Sequence, residues 1–270
     1  MKTNEKVSQA LRRVSNTVME CPDNDQSYFN NNVDRYFFTF NQFFKSTPQG
    51  PILDIGCHYL HSAMILALLG FDVTGLDIAQ FIRKGSVVKR AEMYHITLAE
   101  TSGLGDSGCL GAFESNSFNI VFFTEILEHL TFNPIDMWKE IYRVLRPGGT
   151  IYLTTPNYYF LPNQIRRLKQ GFLRKGGGIP IADIFSNVTY GHHWKEYAVK
   201  EISEYFSMLS LDFHVNKIVL FNPYGYPVKS LKRVFLYLLG IIISDLQKGM
   251  YAEIRLESKK QGIQIQTPLC

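Results

Sequence analysis

The residues ILDIGCHYL, at positions 52–60, decide the fold that this sequence predicts. The apolar run at 52–55 has the length of a strand, with Gly50 and Pro51 before it and Gly56 after it. A short apolar run between such residues is typical of a strand buried in a sheet. The pattern of residues 61–69 is helical, so the stretch opens a unit of strand followed by helix.

The same alternation continues along the chain. Two helical stretches come first, at residues 4–20 and 33–44. Further strands are predicted at 72–76, 94–98, 118–123, 150–154, 212–221 and 251–257, with helices at 79–93, 134–145 and 199–209. Strands that alternate with helices favour a parallel sheet covered on both faces. We therefore expect a doubly wound α/β fold with a mostly parallel seven-stranded sheet, in one domain spanning residues 1–270.

Composition narrows the class of protein. The 270 residues are 46% hydrophobic and 19% charged, which excludes a disordered or fibrous chain. The formal net charge of +4 is too small to indicate a nucleic-acid partner by itself. Four cysteines without close spacing predict neither a zinc site nor a disulfide framework, and we expect a cytoplasmic protein. The apolar run at 234–243 is too short to span a bilayer, although it leaves a peripheral membrane contact open.

Acidic residues follow the first two strands of the predicted sheet. Asp54 and Gly56 lie at the end of the first strand, and Asp77 ends the second, 77 − 54 = 23 residues later. In open α/β sheets, ligands bind beyond the carboxyl ends of the strands. An acidic residue at about this separation is placed to accept the hydroxyls of a ribose. The pair therefore predicts a nucleoside site.

Four segments in order extend this observation: LDIGC, VTGLDIA at 73–79, FNIVFFTEILEHL at 118–130 and LRPGGTIYLTTPN at 145–157. The set resembles the class I S-adenosylmethionine-dependent methyltransferases, which have a Rossmann-like fold. RYFFTF at 35–40 is similar to the helix that covers the site in that family. The resemblance implies an N-terminal helical lid (1–47), a cofactor-binding half (51–155), a cover insertion (156–193) and the remainder of the sheet (194–270).

The resemblance also implies the cofactor-binding residues. Asp54 and Gly56 would lie against the methionine end of S-adenosylmethionine, and Asp77 would bind its ribose. A polar residue before the fourth strand, for which Asp106 is the candidate, would meet the adenine. The other predicted cofactor contacts are Cys57, His58, Ile78 and Thr124.

The glycine loop departs from the family pattern. His58 and Leu60 stand where glycine usually occurs two and four residues after Gly56. Glycine adopts positive φ at no steric cost, and neither replacement does. Either the loop follows another path, with His58 contacting the cofactor carboxylate, or cofactor affinity is reduced; we expect binding to survive.

A polar cluster follows the fourth strand. Glu125, Glu128 and His129 are spaced so that they can share one face of a helix or turn, and His193 follows in GHHWKEYAVKEI at 191–202. His129 or His193, with Glu128, could provide a general base for the acceptor. The cluster also resembles metal-assisted O-methyltransferases of ubiquinone synthesis and of small-RNA ribose. That resemblance implies Mg²⁺ or another divalent metal on Glu125, Glu128, His129 and His193.

The predicted acceptor is a small molecule or a glycan. Residues 156–180 carry aromatic side chains, five basic residues and a glycine run, which suit a sugar ring or a phosphate. The sequence contains no RNA-binding module, which argues against a nucleic-acid substrate. We therefore expect O-methylation of a sugar, glycan or small-metabolite hydroxyl. The alternatives are a catalytically reduced binding protein and a metal-assisted enzyme acting on RNA ribose or a quinone-type acceptor.

Overall fold

One seven-stranded sheet organises the chain in the computed structural model, which describes residues 3–172, 191–222 and 243–265. Its strands are β1 (Ile52–Ile55), β2 (Val73–Ile78), β3 (Thr97–Thr101), β4 (Phe118–Thr124), β5 (Leu145–Pro156), β6 (Phe213–Phe221) and β7 (Gly249–Leu256). Their order is β3-β2-β1-β4-β5-β7-β6. Strands β1 to β5 pair in parallel, whereas β7 runs antiparallel to both β5 and β6. The predicted doubly wound, mostly parallel sheet is confirmed.

The helices differ from the predicted pattern in two places: the second helix begins at residue 26 rather than at residue 33, and the segment before β3 is divided differently. They are α1 (Thr3–Glu20), α2 (Gln26–Lys45), α3 (His61–Leu68), α4 (Ala79–Ile82), α5 (Gly85–Tyr94), α6 (Ile135–Val144), α7 (Leu161–Phe172) and α8 (Val199–Leu209). The helix predicted at 79–93 is interrupted, because Lys84 is extended with φ −66° and ψ 133°. The strand predicted at 94–98 starts later, because α5 runs to Tyr94 and ends at His95 with φ +54°.

Side chains alternate between the two faces of the central strands. Ile52, Ile120 and Phe122 pack under α1, α2, α3 and α5. Their neighbours Leu53 and Val121 point the other way, toward α6 and α8. Because consecutive strand residues face opposite sides, each strand supplies both halves of the core. The carboxyl ends of the parallel strands are thereby held at one edge of the sheet.

A buried polar network fixes the N-terminal helices to the sheet. The Asp25 carboxylate, just before α2, lies 2.7 Å from His61 Nε2 of α3 and 2.7 Å from Arg90 Nη1 of α5. Arg90 also donates to the Cys21 carbonyl at 2.7 Å. Burial opposes ionisation of Asp25, but the bonds from His61 and Arg90 hold its pKa below the ordinary value. The N-terminal helices are therefore a packed part of the domain, beside the carboxyl edge.

Part of the predicted cover and most of the apolar run at 234–243 lie outside the described residues. The described part of the cover includes α7. Among the described residues, no helix combines the length and the apolar composition that crossing a bilayer requires. Cys21, Cys57 and Cys109 are buried free thiols.

Candidate active site

The loop after β1 adopts the left-handed backbone conformation at three positions, of which only the first is glycine. Gly56, His58 and Leu60 have φ values of +67°, +50° and +65°. A Cβ on Gly56 would lie 2.8 Å from Ile126 Cδ1, so this position needs glycine on two grounds. His58 and Leu60 adopt the same left-handed conformation at a cost of about 1–2 kcal/mol each. An altered path of this loop and a reduced cofactor affinity both stay predictions.

Asp54 lies in the fully buried strand β1 and has a carboxylate oxygen without a hydrogen-bond partner. Its side chain is 1% exposed, and its Oδ2 has no hydrogen-bond partner. Burial, reinforced by the nearby charge of Asp77, raises the pKa of Asp54 to about 8. A buried carboxylate of this kind is satisfied by a proton or by a cationic ligand group.

Asp77 ties the end of β2 to the loop after β1. Its Oδ2 accepts the His58 backbone N–H at 2.7 Å, and its Oδ1 accepts the Ile78 N–H at 2.7 Å. Burial raises the pKa of Asp77, while these two bonds favour the ionised form. Each oxygen keeps a further lone pair for a ligand hydroxyl. The structure thus brings Asp54, Gly56, His58, Asp77 and Ile78 to one edge of the sheet.

The other predicted cofactor contacts are Cys57, Thr124 and Asp106, which differ in burial and position. Cys57 is buried, and burial raises the pKa of its thiol well above the ordinary value, so it is a neutral packed side chain. Thr124 is the last residue of β4. Asp106 is exposed, in the loop between β3 and β4. Its role toward adenine stays a prediction.

Sequence reasoning missed Arg35 of α2. Its Nη1 lies 2.7 Å from Oε2 of Glu125, and both side chains are largely buried. Glu125 directly follows β4 and has φ +56°, which turns the chain out of the sheet. The available signal was an arginine within the otherwise aromatic stretch RYFFTF at 35–40. This ion pair brings α2 to the carboxyl edge of the sheet.

Glu128 is fully buried below that edge. Its Oε2 accepts the Thr155 hydroxyl at 2.9 Å. Its Oε1 has no hydrogen-bond partner and lies 3.8 Å from His129 Nε2. Burial, together with the Glu125 charge, raises the pKa of Glu128 well above its ordinary value. The protonated carboxyl is therefore favoured when no cation is bound.

His129 is oriented as a base. Its Nδ1 lies 3.0 Å from the His192 carbonyl, which accepts only, so Nδ1 carries the proton and Nε2 keeps its lone pair. Burial and the neighbouring His193 lower the pKa of His129, which keeps the ring neutral at pH 7. The His193 ring centroid is 4.7 Å from that of His129.

Three of the four predicted metal ligands meet in space. One donor atom from each of Glu128, His129 and His193 lies within 4.8 Å of the others. Glu125 is not a member of this group, because its carboxylate pairs with Arg35. A carboxylate and two imidazoles suit a divalent metal, and the unpartnered Glu128 oxygen faces the His129 lone pair. The donor set is compatible with the predicted metal, although three ligands replace four.

A cavity of about 780 Å³ opens at the carboxyl edge of the sheet. Its wall includes Asn157 and Leu220, which lie at the carboxyl ends of β5 and β6. Asn157 follows Thr155, the partner of Glu128, by two residues, or about 7 Å of extended chain. The Trp194 N–H also donates to the Glu128 carbonyl at 2.7 Å. The cavity and the cluster thus share the same edge of the sheet.

Comparisons with known proteins agree with this geometry. Residues 53–153 match the family model described as a methyltransferase domain. A ubiquinone biosynthesis O-methyltransferase of Albidiferax ferrireducens is 26% identical over 176 residues, 64% of each chain. That of Xanthomonas campestris pv. campestris is 30% identical over 110 residues, 41% of this chain and 44% of its own. Both matches span less than two thirds of the relative's length.

Solved structures show the same fold. A SAM-dependent methyltransferase of Archaeoglobus fulgidus has a TM-score of 0.51 at 16% identity, covering 83% of this chain and 92% of that one. An S-adenosylmethionine-dependent methyltransferase of Mesorhizobium loti gives 0.51 at 13% identity, covering 80% and 97%. Residues 53–153 therefore match a methyltransferase-domain model, and the chain has the fold of these solved methyltransferases.

Proposed function

We propose that the protein is an S-adenosylmethionine-dependent methyltransferase that acts on a hydroxyl oxygen of a small molecule. The observation that carries the proposal is the buried Asp54 carboxylate, with one oxygen unpartnered, at the strand end beside Asp77. A ligand that carries a cationic ammonium next to two ribose hydroxyls would satisfy both the Asp54 and the Asp77 carboxylates. The methyltransferase domain match and the O-methyltransferase relatives support the same reaction class.

In the proposed complex, Asp54 binds the ammonium of the methionine moiety and Asp77 accepts the ribose hydroxyls. Bound S-adenosylmethionine supplies a methyl group on a sulfonium, which is already activated for transfer. The protein then has two tasks, to align the acceptor oxygen with the methyl carbon and to remove its proton. His129 Nε2 is the proposed base, because its lone pair is free and its ring is neutral at pH 7.

The proposed acceptor is a sugar, a glycan or a small hydroxylated metabolite, in a cytoplasmic setting. A quinone-type acceptor is the competing substrate class, and the names of the relatives favour it. The cavity at the carboxyl edge of the sheet has the volume of sites that hold small molecules, about 300–1,000 Å³.

A divalent metal is compatible with this chemistry. Glu128, His129 and His193 would hold it, and it would supply a lower pKa for the acceptor hydroxyl. In that case His129 serves as a ligand, and the acceptor proton passes to another base. The two roles of His129 are separable by experiment, because only one requires a metal.

The test is calorimetry with S-adenosylhomocysteine, followed by transfer of labelled methyl groups to hydroxylated acceptors. We expect saturable binding by the wild type and a loss of at least tenfold in affinity for Asp54→Asn, since a charged bond becomes a neutral one. Binding without transfer to any acceptor would favour the catalytically reduced binding protein. Absence of heat with folded protein would contradict the proposed function.

A further inference from the structure

The cavity at the carboxyl edge of the sheet is lined mostly by side chains that carry a polar group, although its wall exposes slightly more apolar than polar surface. Of its described lining residues, only Ala198, Val199 and Leu220 are aliphatic. Small-molecule sites are mostly lined by apolar side chains with a few polar groups. An apolar acceptor would leave the many polar groups of this wall facing a surface that cannot bond to them, which costs free energy. The lining therefore fits a hydroxylated ligand better than a hydrocarbon chain.

Two tyrosines on the wall present aromatic surface. Tyr158 and Tyr159 follow β5, with ring centroids 5.2 Å apart and ring planes at 87°. Arg167 of α7 lies 4.0 Å from the centroid of the Tyr158 ring, whereas the Tyr159 side chain is half exposed. Tyr158 is held in place by its backbone N–H, which donates to the Tyr197 carbonyl at 2.9 Å. Such rings can stack on the flat face of a sugar or an aromatic acceptor.

The four charged side chains among the described residues of the wall are not equivalent. Lys195 and Glu201 neutralise each other, with Nζ 2.6 Å from Oε1. Lys200 and Asp245 form no ion pair with any residue that the structure describes. Lys200 therefore offers an ammonium for an anion, and Asp245 offers a carboxylate that accepts hydroxyl groups.

From these observations we infer that the acceptor is a hydroxylated small-molecule acid, whose carboxylate or phosphate is bound by Lys200 and whose ring lies against Tyr159. The inference rests on the proposed function, because it names the substrate class of the same site. The inference excludes an acceptor that is only a neutral phenol or a prenyl compound.

The test measures binding of matched acid and neutral compounds by calorimetry, with protein saturated by S-adenosylhomocysteine. The pairs are glucuronate with glucose, glucose 1-phosphate with glucose, and 3,4-dihydroxybenzoate with 3,4-dihydroxybenzyl alcohol. We expect the acid of at least one pair to bind about tenfold more tightly than its neutral partner, the effect of one charge-assisted contact. The sugar and phosphate arms identify which anion is bound.

Two variants assign the preference to the cavity. Lys200→Met should abolish the difference between acid and neutral partner, and Lys89→Met, an exposed lysine of α5 at the other half of the sheet, should leave it unchanged. Equal binding of acid and neutral compounds, binding of none of them, or a preference that survives Lys200→Met would overturn the inference. Binding of S-adenosylhomocysteine is measured separately, so failure of the proposed function is recognised independently.

Discussion

Arg35 of α2 and Glu125 at the end of β4 form an ion pair, with Nη1 2.7 Å from Oε2. The two side chains are 15% and 23% exposed, so the pair is largely withdrawn from solvent. It joins the N-terminal helices to the turn that begins the Glu128–His129 cluster. Because removing one partner leaves a buried charge without compensation, we expect this contact to stabilise the packing of α2 against the end of β4.

A double-mutant cycle should measure this coupling. We expect Arg35→Gln, Glu125→Gln and the double variant to give a coupling free energy of about 1–2 kcal/mol in urea unfolding, because the pair is shielded from water. The exposed pair Arg83–Glu100, at 72% and 37% exposure, provides the comparison. Its coupling should stay below about 1 kcal/mol, as for other surface pairs. Equal values for the two pairs would contradict the proposed anchoring.

Asp54 should make cofactor binding depend on pH. Its pKa of about 8 means that most of the ligand-free protein carries a proton there at neutral pH. A cationic ligand group needs the carboxylate, so binding should release a proton, and affinity for S-adenosylhomocysteine should rise up to tenfold per pH unit between about pH 5.5 and 7. Calorimetry in buffers of different ionisation enthalpy measures the proton, and Asp54→Asn should release none.

Rising pH should have the opposite effect on folding stability: ionisation of Asp54 favours ligand binding but destabilises the ligand-free protein. A carboxyl whose folded pKa exceeds its unfolded value binds its proton in the folded state, so stability is lost as pH rises from about 4 through about 8. The free energy of unfolding of ligand-free Asp54→Asn should therefore fall less than that of the wild type over this range. An identical pH dependence for the two proteins would show that Asp54 titrates normally.

The sequence predicted the sheet well because its strands are short apolar runs between glycine, proline and polar turns. It placed Asp54 and Asp77 at one edge, since parallel strands end together. The partners of α2 were not predictable, because Asp25–His61, Asp25–Arg90 and Arg35–Glu125 join residues that are distant in the chain. Spacing also grouped Glu125 with Glu128, whereas the positive φ at Glu125 directs its carboxylate to Arg35.

The loop after β1 shows the limit of a residue pattern most clearly. Histidine at 58 does not favour positive φ, yet its backbone N–H bonds to Asp77 in the left-handed conformation. Packing of its ring against Tyr59 and Phe81, with centroids 4.0 and 4.2 Å away, accompanies that conformation. Tertiary contacts therefore offset a local preference that the sequence alone displays.

A pair of variants should separate strain from packing at His58. Both His58→Ala and His58→Gly remove the ring, but only glycine relieves the positive φ. We expect His58→Gly to exceed His58→Ala in free energy of unfolding by about 1 kcal/mol, measured by urea denaturation. At an ordinary helical position alanine would be the more stable of the two. If His58→Ala were more stable than His58→Gly, the left-handed backbone at position 58 would be contradicted.

His129 should be required for methyl transfer and not for cofactor binding. Its Nε2 keeps a lone pair, while its proton is held on Nδ1 by the His192 carbonyl. We expect His129→Ala to lower kcat about 10²–10⁴-fold with the best acceptor, the usual contribution of a general base. Affinity for S-adenosylhomocysteine should change less than twofold, and the exposed His214→Ala should behave as wild type.

Chelation then distinguishes the two roles of His129. If His129 is a base, EDTA leaves the activity of the wild type unchanged. The rate then falls only at pH values below the lowered pKa of His129. If His129 is a metal ligand, the wild type loses activity in EDTA and regains it with Mg²⁺ or Mn²⁺. Glu128→Gln should then lower activity as His129→Ala does, since it also removes a ligand. Wild-type kcat in His129→Ala, with or without chelator, would exclude both roles.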